Sequence, residues 1–120
     1  MSTGDVLDPD VVDRLRQLTP PGDPDVLTQI LHLFLDDVPK RIETLRAATA
    51  AGDAIAVQRT AHSLKGSSGN IGARALCEVC QQLDDGAKAG DLARLRSLVE
   101  SVVSEYARVE AEIRRLLQEP

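Results

Sequence analysis

Aromatic side chains are almost absent from this sequence, which has one Phe, one Tyr and no Trp among its 120 residues. Leu, Val, Ile and Ala must therefore fill any hydrophobic core, and an apolar content of 42 % is enough for one packed domain. The sequence also lacks a run of about 20 apolar residues, so no membrane span is expected. We expect a single domain over residues 1–120, with its core at about residues 8–117.

Basic residues and cysteines are scarce as well. The formal net charge is −5 at pH 7, and an acidic domain is a poor candidate for binding nucleic acid because neutralising phosphates requires a basic face. Two cysteines are too few for a disulfide scaffold, and the start has no signal-peptide pattern. A reducing, cytoplasmic compartment is therefore expected, and the Met1-Ser2-Thr3 start favours a free-standing protein.

Apolar residues recur at helical spacing and predict five helices, and no alternating run is long enough to indicate a strand. The predicted core positions are, helix by helix, Val11, Val12, Leu15 and Leu18; Val26, Ile30, Leu33, Phe34, Val38, Ile42 and Leu45; Ala54, Val57, Ala61 and Leu64; Leu76, Val79, Cys80, Leu83 and Ala87; and Leu92, Leu95, Val99, Val102, Tyr106, Val109, Ile113 and Leu116. Short turns rich in Gly, Pro and Asp separate the helices. This pattern predicts an all-α fold, an antiparallel four-helix bundle in up-down-up-down order whose short first helix covers one end.

Residues 61–72, on the predicted third helix, carry the arrangement that suggests chemistry. Ala61 and Leu64 belong to the core stripe, so His62 lies about 100° round the helix and should stand outside the core. The residues three, four and seven positions further on share its face, and they are Lys65, Gly66 and Gly69. The imidazole is therefore expected to have a cation on one flank and almost no side-chain bulk on the other.

Glycine within a helix costs roughly 1 kcal/mol relative to alanine, so Gly66 beside an exposed histidine indicates a gain other than stability. We interpret that gain as access for a bulky partner to the ring nitrogen of His62. Neutral imidazole is a competent nucleophile near pH 7 because the ordinary histidine pKa is about 6.5. With Lys65 as a point charge beside an anion, these features together predict a phosphoryl acceptor.

This stretch resembles the histidine phosphotransfer (HPt) domains of two-component phosphorelays. The residues that fit their motif are His62, Leu64, Lys65, Gly66, Ser67, Ser68 and Gly72. The resemblance extends over nearly the whole chain, because Phe34-Leu35 before Pro39 looks like the family's second helix. It implies that His62, through Nε2, accepts a phosphoryl group from a receiver-domain aspartyl phosphate and passes it to another receiver.

The resemblance also implies partners and supporting residues. The partners would be the receiver domains of response regulators and a hybrid sensor histidine kinase; Mg²⁺ would come with the receiver, and this chain would be a monomer with no cofactor, metal or kinase activity of its own. The residues expected to support transfer are Lys65, Gly66, Ser67, Gly69 and Asp84, with Ser68 a further candidate for a hydrogen bond to the phosphate. Asp84 stands where many members carry Gln or Glu. Partner contacts are expected on the exposed faces of the third and fourth helices around His62, with Arg74, Gln81 and Gln82 as candidates.

Two other functions compete with the phosphocarrier. The first is an interaction bundle that docks receivers without chemistry, in which His62 would be dispensable. The second is a small metal-dependent protein, whose four possible ligands are His32, His62, Cys77 and Cys80. The spacing of Cys77 and Cys80 favours one helix face, with Cys80 as a small hydrophobic core residue, and the histidines lack the close pairing of a zinc finger. Asp84 and Asp85 are interpreted as a solvated helix end.

Overall fold

The structure, a computed structural model, describes residues 5–20 and 25–118. Five α-helices lie in these ranges: α1 (Pro9–Gln17), α2 (Val26–Ala50), α3 (Ala54–Asn70), α4 (Arg74–Ala89) and α5 (Leu92–Leu117). No strand occurs in the described ranges, and no helix there combines the length and apolarity that crossing a bilayer requires. The all-α prediction is confirmed. The first four residues, residues 21–24 of the turn expected between the first two helices, and the last two residues lie outside the described part.

Aspartate side chains begin four of the five helices. Each accepts a hydrogen bond from a backbone N–H in the first turn of its helix, which satisfies a donor that has no partner within the helix. The capping residues are Asp8 for α1, Asp25 for α2, Asp53 for α3 and Asp91 for α5. The acidic turn residues of the sequence therefore set where these helices start.

Helices α2 to α5 form a closed four-helix bundle. α3 packs against α2 and α4, and α5 packs against the same two helices from the other side. Because short turns join consecutive helices, neighbours in the ring run antiparallel. The largest fully buried side chains are Leu31, Leu45, Leu64, Ile71, Leu76, Leu83, Leu95 and Ile113. The short helix α1 packs against α2, and the predicted up-down-up-down bundle is confirmed.

Three leucines predicted for the core are exposed, and one of them, Leu92, is the first residue of α5 and is 41 % accessible. Leu18 is 62 % accessible at the end of α1, and Leu33 is 66 % accessible on α2. α2 carries two overlapping apolar stripes, and the one that faces the bundle contains Leu27, Leu31 and Phe34 rather than Leu33. The prediction was wrong because helical periodicity identifies an apolar stripe but does not choose between two stripes one residue apart.

Gly72 forms the turn between α3 and α4, where the start of α1 lies against it. Its φ of +77° is in the left-handed region, and the backbone N–H of Asp8 donates to its carbonyl oxygen at 2.9 Å. A Cβ atom at Gly72 would lie 2.9 Å from both the backbone nitrogen and the Cβ of Asp8. Only glycine therefore allows both this backbone conformation and this close approach.

Gly72→Ala is expected to lower the free energy of unfolding by about 2–4 kcal/mol, since it combines left-handed strain with overpacking against Asp8. Gly90→Ala is the matched control, because Gly90 has a φ of +70° but an added Cβ there would meet no atom within 4 Å. It should cost only the strain, about 1–2 kcal/mol. Urea unfolding of the two variants measures the difference, and equal losses would contradict the packing explanation.

Tyr106 on α5 places its ring on Phe34 of α2, with the ring centroids 6.1 Å apart. Its hydroxyl is buried and has no hydrogen-bond partner among the described residues, and burial raises its pKa. Tyr106→Phe is expected to leave stability unchanged or raise it by about 1 kcal/mol, because the substitution removes an unpaired polar group while keeping the ring contact. Denaturant unfolding tests this, and a clear loss of stability would mean that the hydroxyl makes a stabilising hydrogen bond.

Candidate functional site

His62 lies in the middle of α3, with its side chain exposed. Its neighbours Ala61 and Leu64 are fully buried, so they hold this segment of α3 against the bundle while the ring faces outward. The prediction that His62 stands outside the core is confirmed. A histidine on a well-packed helix can present a ring nitrogen to a partner with little reorganisation of the backbone, which is what a transfer site requires.

Two glycines clear the surface next to His62. Gly66 and Gly69 lie one and two turns further along α3, both exposed, and an added Cβ at either position would meet no atom within 4 Å. Neither glycine is therefore required by packing within this chain. Gly66 lies in the helix interior, where glycine is unfavourable, and Gly69 is the last residue but one of α3. The open space beside His62 is available to another molecule.

Lys65, the cation next to His62, is held by the fourth helix. Its Nζ donates a hydrogen bond of 2.5 Å to Oε1 of Gln81, and Nε2 of Gln81 donates to Oδ1 of Asp85 at 3.0 Å. The Cys77 thiol also donates to the backbone carbonyl of Lys65, at 3.7 Å. Asp85 was not predicted from the sequence to belong to the site, although its position four residues after Gln81 was a signal for a pair on one helix face.

The two serines that follow Gly66 have different surroundings. Ser68 is buried, and its hydroxyl donates to the backbone carbonyl of Leu64 at 2.7 Å, so it is not placed to bind a phosphate at the surface. Ser67 is half-buried at the border between α3 and α2. α3 continues through both serines to Asn70.

Asp84 is buried rather than solvated, which corrects the interpretation of residues 84–85 as a wet helix end. α4 continues to Ala89, so Asp84 lies inside the helix, where its Oδ2 is 3.7 Å from Nζ of Lys88. Its Oδ1 has no hydrogen-bond partner among the described residues. Asp85 is exposed. A role for Asp84 in supporting transfer stays a prediction.

The three candidate partner contacts are in different environments. Arg74 is exposed but forms an ion pair with Asp8, which ties the start of α4 to the cap of α1. The backbone N–H of Asp10 and this guanidinium hold the pKa of Asp8 below its ordinary value of 3.8. Gln81 is half-buried and bonded at both ends of its amide, whereas Gln82 is exposed.

An apolar groove lies beside the His62 face of α3, between α1, α2 and α3. Its volume is about 500 Å³, and its lining residues are Leu15, Ile30, Leu33, Phe34, Asp37, Arg41, Ser67, Asn70 and Ile71. An adjoining cleft of about 570 Å³ shares Leu15 and Asn70 and extends to Leu18 and Gly69. The exposed leucines of α1 and α2 thus border this α1–α2–α3 groove, on a side where the sequence predicted no partner contacts.

The proposed zinc ligands do not form a cluster. Within residues 5–20 and 25–118, no three side chains of the His, Cys, Asp and Glu types come together as a metal site would require. Cys80 is fully buried, and burial followed by the charge of Cys77 raises its pKa to about 12. Its thiol therefore stays protonated and acts as a core residue, as the spacing predicted.

Comparison with known proteins places this site in a family. The Hpt domain family matches residues 29–119. Histidine-containing phosphotransfer protein B from Pseudomonas aeruginosa PAO1 has a similar crystal structure, with a TM-score of 0.88, 35 % identity and coverage of 95 % of this chain and 96 % of that one. The chain therefore belongs to the Hpt domain family, and the resemblance drawn from residues 61–72 is confirmed.

Individual relatives agree with this assignment. The chain is 37 % identical over 70 residues to histidine-containing phosphotransfer protein 5 of Arabidopsis thaliana, a match that covers 56 % of this chain. That match spans less than half of the plant protein, 45 % of its length. The phosphorelay protein LuxU of Vibrio vulnificus is 30 % identical over 78 residues, covering 65 % of this chain and 68 % of that protein.

Proposed function

We propose that this protein carries a phosphoryl group on His62 between receiver domains in a two-component phosphorelay. The Nε2 lone pair of neutral His62 attacks the phosphorus of a receiver's aspartyl phosphate. The new N–P bond forms as the P–O bond to the aspartate breaks, and the aspartate leaves as a carboxylate. Transfer to a second receiver reverses these steps, with an aspartate carboxylate attacking and the imidazole leaving.

The observation that carries this proposal is an exposed imidazole beside open space in an otherwise well-packed helix. Gly66 and Gly69 leave the approach to His62 clear, Gly66 at a cost in helix stability, and Lys65 supplies a positive charge one turn away. An interaction bundle that docked receivers without chemistry would have no need of this arrangement. Membership of the Hpt domain family supports the same reaction.

The α1–α2–α3 groove is the proposed docking surface for the receiver. Leu33 and Leu18 are exposed leucines at its border, and Gly69 connects it to the His62 face. Burying these two leucines would stabilise the complex through the hydrophobic effect, while the nearby glycines let the receiver's active site reach the ring.

The catalytic components other than His62 and Lys65 are proposed to belong to the partner. The protein would act as a phosphocarrier without kinase activity, and Mg²⁺ would be held by the receiver, where it neutralises charge on the phosphoryl group. A hybrid sensor histidine kinase would start the relay. The free thiols of Cys77 and Cys80 support a reducing, cytoplasmic compartment, and a monomer is proposed.

The test is to find where the phosphoryl group goes. The purified protein would be incubated with candidate receivers phosphorylated with radiolabelled phosphate in the presence of Mg²⁺. We expect acid-labile, base-stable label on this protein, and mass spectrometry should locate it on His62. Label on His32, or no label from any receiver of a complete set from the same cell, would contradict the proposal.

A further inference from the structure

We propose that Gln81 and Asp85 are positioning residues for transfer, because they hold the Lys65 ammonium in place beside His62. This inference rests on the proposed function and adds two residues to its site. Asp85 had no predicted role, and Gln81 was expected to contact the partner directly. The hydrogen-bonded chain Lys65–Gln81–Asp85 runs from α3 to α4 and ends at the exposed carboxylate of Asp85.

A lysine needs such a restraint because its side chain is flexible. It has four rotatable bonds, and part of its rotamer entropy is lost whenever the ammonium is held against an anion. In this protein Oε1 of Gln81 accepts from Nζ of Lys65 at 2.5 Å, so much of the ordering precedes arrival of a phosphoryl group. One of the three ammonium donors is used, and two stay available for phosphate oxygens.

Asp85 determines which end of the Gln81 amide faces Lys65. The carbonyl end of an amide accepts a hydrogen bond from an ammonium, whereas its NH₂ end would repel one. Because Oδ1 of Asp85 accepts from Nε2 at 3.0 Å, the amide is fixed with Oε1 towards Lys65. The Cys77 thiol, bonded to the Lys65 carbonyl, adds a separate contact between the same helices.

The surroundings of Gln81 favour positioning over direct contact with a partner. Gln81 is half-buried, and both ends of its amide are bonded within the chain, so a partner would have to break these bonds to use it. Gln82, the next residue, is exposed and is the better placed of the two for a partner. The two roles differ in what they change: a positioning residue alters the transfer rate, and a partner contact alters the affinity.

Transfer from a phosphorylated receiver to three single variants, followed at saturating receiver, separates these roles. We expect Gln81→Ala to slow transfer about tenfold with an unchanged Kd for the receiver, since a hydrogen bond to a charged group is lost. Asp85→Ala should slow it about threefold, because the amide can then turn. Asp85→Asn should transfer at a rate between those of Asp85→Ala and wild type, because its amide oxygen can still accept from Gln81 but its NH₂ group no longer excludes the turned amide. Circular dichroism and urea unfolding of each variant establish that the bundle is folded.

The Lys65→Met variant and its double variant with Gln81→Ala test whether Gln81 acts through Lys65. In a Lys65→Met background, Gln81→Ala should have no further effect on the rate, since the group it positions is gone. The inference is overturned if the two effects multiply, if Gln81→Ala weakens receiver binding at an unchanged saturated rate, or if Gln81→Ala transfers as fast as wild type. Each of those results leaves labelling of wild-type His62 intact, whereas absence of that label overturns the proposed function itself.

Discussion

The His62→Gln variant is expected to accept no phosphoryl group from any receiver, with labelling reduced below detection. Glutamine has a polar side chain that fits an exposed helix position, but its amide nitrogen has no lone pair available for attack on phosphorus. Because His62 is exposed and lies outside the core, the substitution should leave stability within about 0.5 kcal/mol of wild type. Labelling by a phosphorylated receiver, with unfolding measured alongside, checks both parts.

His32→Gln is the matched control. His32 is the other histidine of the chain and is also exposed on a helix, α2, but it has neither a lysine three residues on nor a glycine four residues on. It should transfer at the wild-type rate. Equal labelling of the His62→Gln and wild-type proteins would show that the phosphoryl group resides elsewhere, and the phosphocarrier interpretation of residues 61–72 would be lost.

Gly66→Leu is expected to slow transfer by about 100-fold or more while making the protein more stable. A leucine one turn from His62 would fill the open space through which a receiver reaches the ring, and a displacement of about 1 Å from the reactive geometry is enough for such a loss. The same substitution replaces glycine in a helix interior with a strong helix former, which should raise the free energy of unfolding by about 0.5–1 kcal/mol. Transfer kinetics and urea unfolding measure the opposite changes.

The control for added bulk is Ala107→Leu. Ala107 is exposed on α5, which packs against α2 and α4, and the change places a leucine of the same size away from α3. The Ala107→Leu variant should accept the phosphoryl group at the wild-type rate. If Gly66→Leu transferred as fast as wild type, the glycine would not serve access. If Gly66→Leu were less stable than wild type, the leucine would clash with a neighbour, which the open surroundings of Gly66 do not predict.

A trade-off between stability and function explains why a functional role for Gly66 can be predicted from the sequence. A protein selected for stability alone would place alanine or leucine at Gly66, so glycine beside an exposed histidine signals another use. Gly72 carries a different signal. Gly72 fitted the family's motif, but glycine is needed at this position for a structural reason. Its φ of +77° and the approach of Asp8 exclude any side chain there. No sequence pattern revealed that contact, because it joins residues far apart in the chain.

Ser68 and Gln81 illustrate what reasoning along one helix can and cannot decide. The resemblance made Ser68 a candidate for a hydrogen bond to the phosphate, but helical spacing puts it on the buried stripe of Ala61 and Leu64, and its hydroxyl donates to the Leu64 carbonyl inside the bundle. Gln81 bonds to Lys65 on another helix, and the register between α3 and α4 decides which residues meet. That register depends on the packing of both helices, so spacing within either one cannot supply it.

The sequence alone determined the five helices, most of their caps, the bundle and the outward position of His62 with a lysine and glycines beside it. These follow from local rules: a period of 3.6 residues, side chains that cap helices, and the cost of glycine in a helix. Only the tertiary structure decided which of two apolar stripes of α2 is buried, and therefore that Leu33 borders a groove at the site. It also decided that Asp84 is buried and that Gln81 holds Lys65. The reason is that burial and cross-helix contacts depend on how the helices face one another, which residues distant in sequence set together.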